Sequence, residues 1–342
     1  MSSDFSRRGL LGAAAAASAI FIAGCEVEPA PPKANPGPTV EGETPAADQG
    51  QLLWVLKDTV NHIKAADESL DAAKLAPRVT GSAADYRKAL YEIIKKDDSY
   101  KSALERPSEN MMLSVSTNNE SYPRFIMTVA KAEQAGDLPY LMIMQQDGPR
   151  SPYQCWGWAK QAANGPALPA AIVGAAPVAI DATDYVVRPF EAINLYVDAL
   201  NKGLTGGLEQ KVAPDAYMTS LREVVDKQRA MLNKDVEPNS IATIEEFYHR
   251  VGEGKEFAGI RTADKGALIF TSLRSTRKTV IKKGSVTYPE SVYTRLAGKT
   301  TFSKEIIVEA GETIVLYIPS KQAGGKVQLV AGYKSLISVS GS

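Results

Sequence analysis

Apolar side chains recur at three- and four-residue steps from Gln51 to about Lys96, with Leu52, Leu53, Leu56, Val60 and Ile63 on one stripe. That spacing predicts an amphipathic helix. Pro77 interrupts it, and a second helix is expected from about Ser82 to Lys96, with Tyr86, Leu90, Ile93 and Ile94 on one face. From Met111 to Trp158 the period changes to two. Met111–Thr117, Arg124–Ala132, Tyr140–Gln146 and Tyr153–Trp158 read as strands, separated by Asn118-Asn119, Ala135-Gly136-Asp137 and Asp147-Gly148-Pro149, which have turn composition. Two helices followed by a meander predict an α+β layer, with helices on one face of an antiparallel sheet.

The order then recurs. Pro189–Lys202 reads as a helix with Phe190, Ile193, Tyr196, Val197 and Leu200 inward and Gly203 as its C-terminal cap. Asp215 is placed to cap a longer helix in which Gln228 is the single polar residue of the apolar stripe. Strands are expected at about Glu256–Arg261, Ala267–Leu273, Thr279–Lys283, Phe302–Val308, Thr313–Ile318 and Lys326–Tyr333. Thr262–Gly266 and Ala310-Gly311-Glu312 read as hairpin loops, and Gly252-Glu253-Gly254 as a turn. Ile241–Arg250 is open between helix and strand, and the Ala-, Gly- and Pro-rich stretch 165–180 between an edge strand and an interdomain strap. The repeat of "KLAPRVTGSAADYRKAL" (74–90) in "KVAPDAYMTSLREVV" (211–225) supports two α+β modules, 51–183 and 184–342.

The N-terminus follows a different logic. Arg7 and Arg8 precede an Ala-rich apolar run, Leu10–Ala23, and Ile22-Ala23-Gly24-Cys25 closes it. The run is too short for a ~20-residue membrane span and reads as an export signal over residues 1–24. Arg-Arg-Gly-Leu-Leu resembles the twin-arginine signal, with the general secretory route as the alternative. Ile-Ala-Gly-Cys resembles the bacterial lipobox, in which the Cys25 thiol receives a diacylglycerol. Residues 25–50 carry prolines at 29, 31, 32, 36, 38 and 45 and almost no large apolar residue. Such a stretch cannot offset its ordering entropy and is expected to be a disordered tether, reaching at most ~75 Å.

Charge narrows the function classes. The chain has 39 Lys and Arg against 39 Asp and Glu, which disfavours nucleic acid as a partner. Of its 2 cysteines, lipid takes one, so Cys155 is left without a disulfide partner and reads as a buried, inert thiol. His62 and His249 fall in different modules without a second ligand at metal spacing, and Asp67 and Glu68 beside His62 read as a solvated helix face. Gly298-Lys299-Thr300 lacks the glycine a phosphate loop needs, Tyr293 standing in its place. No catalytic residue, cofactor or metal is therefore assigned. Two clusters are candidates for binding. Tyr153, Trp156 and Trp158 lie within six residues, the two tryptophans sharing one face of an ideal strand, and form either a core-facing pair or an aromatic platform for a glycan or apolar ligand. Arg274, Arg277, Lys278, Lys282 and Lys283 form either a blunted sheet edge or a contact for anionic polymers or lipid headgroups.

The signal, the tether, "LAPRVTGSAADYRKALYE", "IRTADKGALIFTSL" and "AGKTTFSKEIIVEAGETIVLYIP" together resemble an actinobacterial twin-arginine-exported lipoprotein family of unknown function. The helix-then-curved-sheet order is similar to the cystatin-like fold of nuclear transport factor 2. The resemblance implies tandem cystatin-like domains anchored by lipid to the extracytoplasmic face of the cell membrane. It fits a non-catalytic module binding an envelope protein or polymer. The alternatives are a small-ligand receptor and an isomerase- or dehydratase-type enzyme.

Overall fold

Helix α1 (Gln49–Ser69) starts where Asp48 accepts from the Gln51 amide and the Gln51 side chain accepts from the Asp48 amide. This reciprocal cap satisfies two N–H groups that a helix end otherwise leaves orphaned. The computed structural model describes residues 34–35, 44–251 and 256–342. Cys25, Arg7, Arg8 and the Gly252-Glu253-Gly254 turn lie outside the described residues. Packed structure begins before the boundary expected at residue 51: Ala46 N–H donates to Thr117 O at 2.8 Å, and Ala47 is buried.

Helix α2 (Gly81–Lys96) buries the face its periodicity predicts. Four strands follow: β1 (Pro107–Ser116), β2 (Arg124–Ala132), β3 (Tyr140–Gln146) and β4 (Gln154–Gln161). The second half supplies α3 (Pro189–Lys202), α4 (Ala216–Leu232), β5 (Ala242–Arg250), β6 (Phe257–Arg261), β7 (Ala267–Ile281), a short α5 (Val292–Ala297), β8 (Glu305–Ile318) and β9 (Gln328–Gly341). Residues 241–250, open between two readings, are thus a strand. Two pairs of expected strands fuse into the long β7 and β8, and Ala310-Gly311-Glu312 is mid-strand instead of a hairpin. The glycine there serves packing: a Cβ on Gly311 would stand 2.1 Å from Tyr86 Cε1, because the Tyr86 ring lies on the strand and its hydroxyl donates to Leu273 O at 3.0 Å. Gly311→Ala is expected to cost about 1–3 kcal/mol, the scale of overpacking a filled core. Urea unfolding measures it, and an unchanged midpoint would mean that the ring moves aside freely.

The strands of both halves join one antiparallel sheet in the order β1-β2-β3-β4-β9-β8-β7-β5, with β6 pairing β7 beyond the end of β5. The two expected modules therefore do not own separate sheets. Their junction is short, Gln161 opposite Ala331 and Lys160 opposite Gly332. Stretch 165–180 is the strap, and it ties the two edges of this sheet together. Ala175 N–H donates to Ser116 O at 2.9 Å, and Val178 N–H donates to Gly259 O at 2.8 Å. The sheet curls between them around one apolar cluster drawn from both halves, including Phe125, Met127, Trp156, Phe270 and Val315. On its other face α1 and α2 cover Ile126, Met142, Met144 and Trp158, while α3 and α4 cover Ile269, Leu273, Ile314 and Leu316.

The repeat is visible in hydrogen bonds. Cys155 N–H donates to Arg78 O and Thr80 N–H donates to Cys155 O; in the second half Val327 pairs the same way with Lys211 and Ala213. This geometry sets Val212 opposite Val79, whereas the sequence match sets it opposite Leu75. The outer edge of β5 is closed by side chains. Asn201 exchanges two hydrogen bonds with the Tyr248 backbone, Asn233 does so with Ala242, and Arg229 donates to Ile244 O. An open strand edge would template pairing with another chain, and these amides remove the template.

Candidate functional site

The tryptophans do not form a platform. Ile143 pairs with Gly157 and Met144 with Cys155, so Trp156 is an extra residue in β4. This bulge reverses the alternation. Trp156 enters the cluster inside the curled sheet, while Trp158 and Cys155 face α1 and α2; each indole is 4% exposed. Tyr153 packs beside the α1–α2 cluster, with its burial pushing the phenol up. Cys155 is fully buried, and desolvation pushes its thiol up to about 12.

The basic residues do not form one patch either. Arg274 lies 4.8 Å over the Tyr86 ring and 3.8 Å from Asp85, and Lys278 is 2.7 Å from Glu305. Arg277 points to the opposite face, toward Gln228 of α4, where the two line a small cavity with Tyr288 and Phe302. Gln228, the polar residue in an apolar stripe, is thus a cavity residue. Lys282 and Lys283 are exposed in the turn after β7. Gly298 is the left-handed C-cap of α5, which accounts for the Gly-Lys-Thr run.

Two ionic networks are largely buried. In the first, Asp67 is 4% exposed and accepts from Arg87 Nη2 at 2.9 Å, Tyr91 Oη at 2.7 Å and Arg106 Nη1 at 3.2 Å. The expectation that Asp67 lies on a solvated face is thereby corrected: α2 covers that face. The second network lies between α4 and the sheet. Lys334 Nζ sits 2.8 Å from Glu246 Oε1 and 3.3 Å from Glu312 Oε1, and Ser275 Oγ donates to Glu312 Oε1 at 2.6 Å. Burial raises the Glu312 carboxyl above its ordinary value; burial would do the same to Glu246, but Lys334 and Arg277 hold it low. Among the described residues no three His, Cys, Asp or Glu side chains are placed to hold a metal ion.

An open cleft of about 1250 Å³ lies where the turn before β2, the strap, the start of α3, the end of β5 and the start of β6 meet. Tyr122, Phe190 and Phe257 form aromatic walls, and Arg250 contributes the cation. The Arg250 guanidinium stands 4.4 Å over Phe190, and Arg124 stands 4.7 Å over Tyr122. Phe190, expected to point inward, is 44% exposed, because it follows Pro189 by one residue, about 100° round the helix, and so lies to the side of the buried stripe of Pro189, Ala192, Ile193 and Tyr196. Local pattern gives no sign of this site, since its walls come from five separate segments. Rings backed by guanidinium planes offer apolar faces and positive charge to one ligand.

Fold and cleft define an α+β body on a curled antiparallel sheet, with largely buried ionic networks and an aromatic–arginine cleft open at the surface. No family model, curated protein or solved structure matches the chain.

Proposed function

We propose that this protein is a lipoprotein of the extracytoplasmic membrane face, anchored through a diacylglycerol on Cys25 and exported by the twin-arginine route, whose body is a non-catalytic binding module. The observation that carries the binding reading is the open cleft with its stacked Arg250–Phe190 pair. Its ligand is an anionic polymer of the cell envelope, because aromatic faces accept sugar rings or other apolar surfaces while the guanidinium selects negative charge. The buried networks favour binding over turnover: Glu312, whose carboxyl burial displaces toward the neutral form, is 0% exposed and already held by Ser275 and Lys334.

Titration calorimetry with an anionic envelope polysaccharide fragment tests this, with a neutral glycan and a short peptide as controls. Phe190→Ala and Arg250→Ala are each expected to weaken binding about tenfold, near 1.4 kcal/mol, with an unchanged melting temperature. Absence of a saturable response to the anionic fragment would overturn the ligand class. Mass spectrometry of the protein from its own membranes tests the anchor on Cys25 separately.

A further inference from the structure

The place where the chain joins the body decides which way the body faces the membrane. Ala34–Asn35 pairs in parallel with Leu168–Pro169 of the strap. From Cys25 to Ala34 the chain spans at most roughly 28 Å, against ~75 Å for a tether free to residue 50. The leash is thus short, and it arrives at the strap. Just beyond, the strap turns, and Ile172 stands there 84% exposed. The chain returns alongside: a Cβ on Gly174 would lie 3.2 Å from Pro45 Cα, and Ala46 bonds to Thr117.

A second exposed apolar group lies at this end of the sheet. Trp54, near the start of α1, is 58% exposed, and the Arg78 guanidinium stands 4.6 Å from its ring centroid. Arg78 also pairs with Asp58 and donates to Tyr153 O at 3.1 Å, which fixes the indole over the start of β4. The strand register carries that position across the sheet: Gln154 pairs with Gln145, the neighbouring Gln146 pairs with Arg124, and Phe125 O accepts from Thr117 N–H. Trp54 and Ile172 thus lie at the same end of β1–β4, a few strand widths apart, about 15 Å at 4.8 Å per strand.

An aliphatic tip and an indole held by a guanidinium are the side chains that settle at the boundary between acyl chains and headgroups. We infer that the partner of this end of the body is the bilayer itself, with Ile172 entering the acyl boundary and Trp54 resting at headgroup depth. The inference rests on the acylation of Cys25. A short leash holds the contact at an effective concentration in the mM range, so an interaction too weak to retain a free protein suffices.

The test uses the acylated full-length product in phosphatidylcholine–phosphatidylglycerol vesicles whose acyl chains are brominated. The chain has three tryptophans, and Trp156 and Trp158 are buried, so contact quenching reports Trp54. Emission is expected to be quenched relative to unbrominated vesicles and to lose the effect in Trp54→Phe. Ile172→Asp is expected to reduce quenching about twofold or more while the protein still floats with the vesicles. Flotation without quenching would overturn the docking and leave the anchor standing, as would quenching indifferent to Ile172→Asp. If mass spectrometry finds Cys25 unmodified, the anchor fails, and the unacylated protein decides alone: Ile172-dependent quenching supports docking, and its absence overturns it.

Discussion

Replacing Asp67 with alanine is expected to lower the unfolding free energy by about 3–5 kcal/mol, the scale of breaking a buried ion pair by removing one partner. The reason is what remains. The Arg87 side chain is 2% exposed and cannot shed its proton. Without Asp67 its guanidinium keeps a hydrogen bond to Glu105 O at 2.9 Å and the Trp158 ring at 5.6 Å, neither of which neutralises it. Tyr91 loses its acceptor at the same time, and Arg106 is left with Glu133 at 3.6 Å. Asp67→Leu combined with Arg87→Met is expected to recover most of the loss, because an apolar pair of similar volume avoids the desolvation of both charges. Urea unfolding followed by tryptophan emission measures both variants. A loss below about 1 kcal/mol for Asp67→Ala would place the pair in the range of solvated surface bridges and refute its burial.

That network also marks the limit of what the sequence discloses. Periodicity reports which face of a segment is apolar, and it placed α1, α2, α3 and the spans of β2 and β3 because each is long and regular. Asp215 was legible as a cap, since a lone acid before an apolar stripe has a local explanation; its side chain accepts from Met218 N–H. Asp67 was not legible, because burial of an acid depends on a helix that returns over it from later in the chain. The Trp156 bulge was hidden for a similar reason: one inserted residue reverses inward and outward, and strand composition does not register it. Gly311 misled because glycine marks turns more often than the footprint of a ring on a strand. The single sheet was hidden as well, since two residue pairs at the β4–β9 junction and a strap join halves that each read as complete. The cleft draws on five segments, none distinctive alone.

Lys334 is where removal of one charge exposes two others. Lys334→Met leaves Glu246 and Glu312 without the cation that lies 2.8 and 3.3 Å from them. The expected loss is about 3 kcal/mol at neutral pH, the lower end of the range for a broken buried pair, because the lysine side chain keeps 22% of its surface open. The dependence on pH separates the two acids. Glu246 is held below its ordinary value, so its contribution is present above the unfolded carboxyl value of ~4.3 and is lost as pH falls through the lower folded value. Glu312 runs the other way: its folded value is raised, chiefly by burial, so the stability it contributes is full below ~4.3 and is lost as pH rises through the folded value. Glu312→Gln is therefore expected to melt above the wild type once pH exceeds the folded Glu312 value, and to flatten the decline there. In Lys334→Met, Glu312 loses its counter-charge and Glu246 keeps only Arg277, so the deficit grows from pH 5 to pH 8. Melting curves across that interval decide the matter: an equal deficit at both ends would mean that Lys334 acts through the packing of its aliphatic stem, and that its charge, although Nζ lies 5.0 Å from the Tyr248 ring centroid, contributes little.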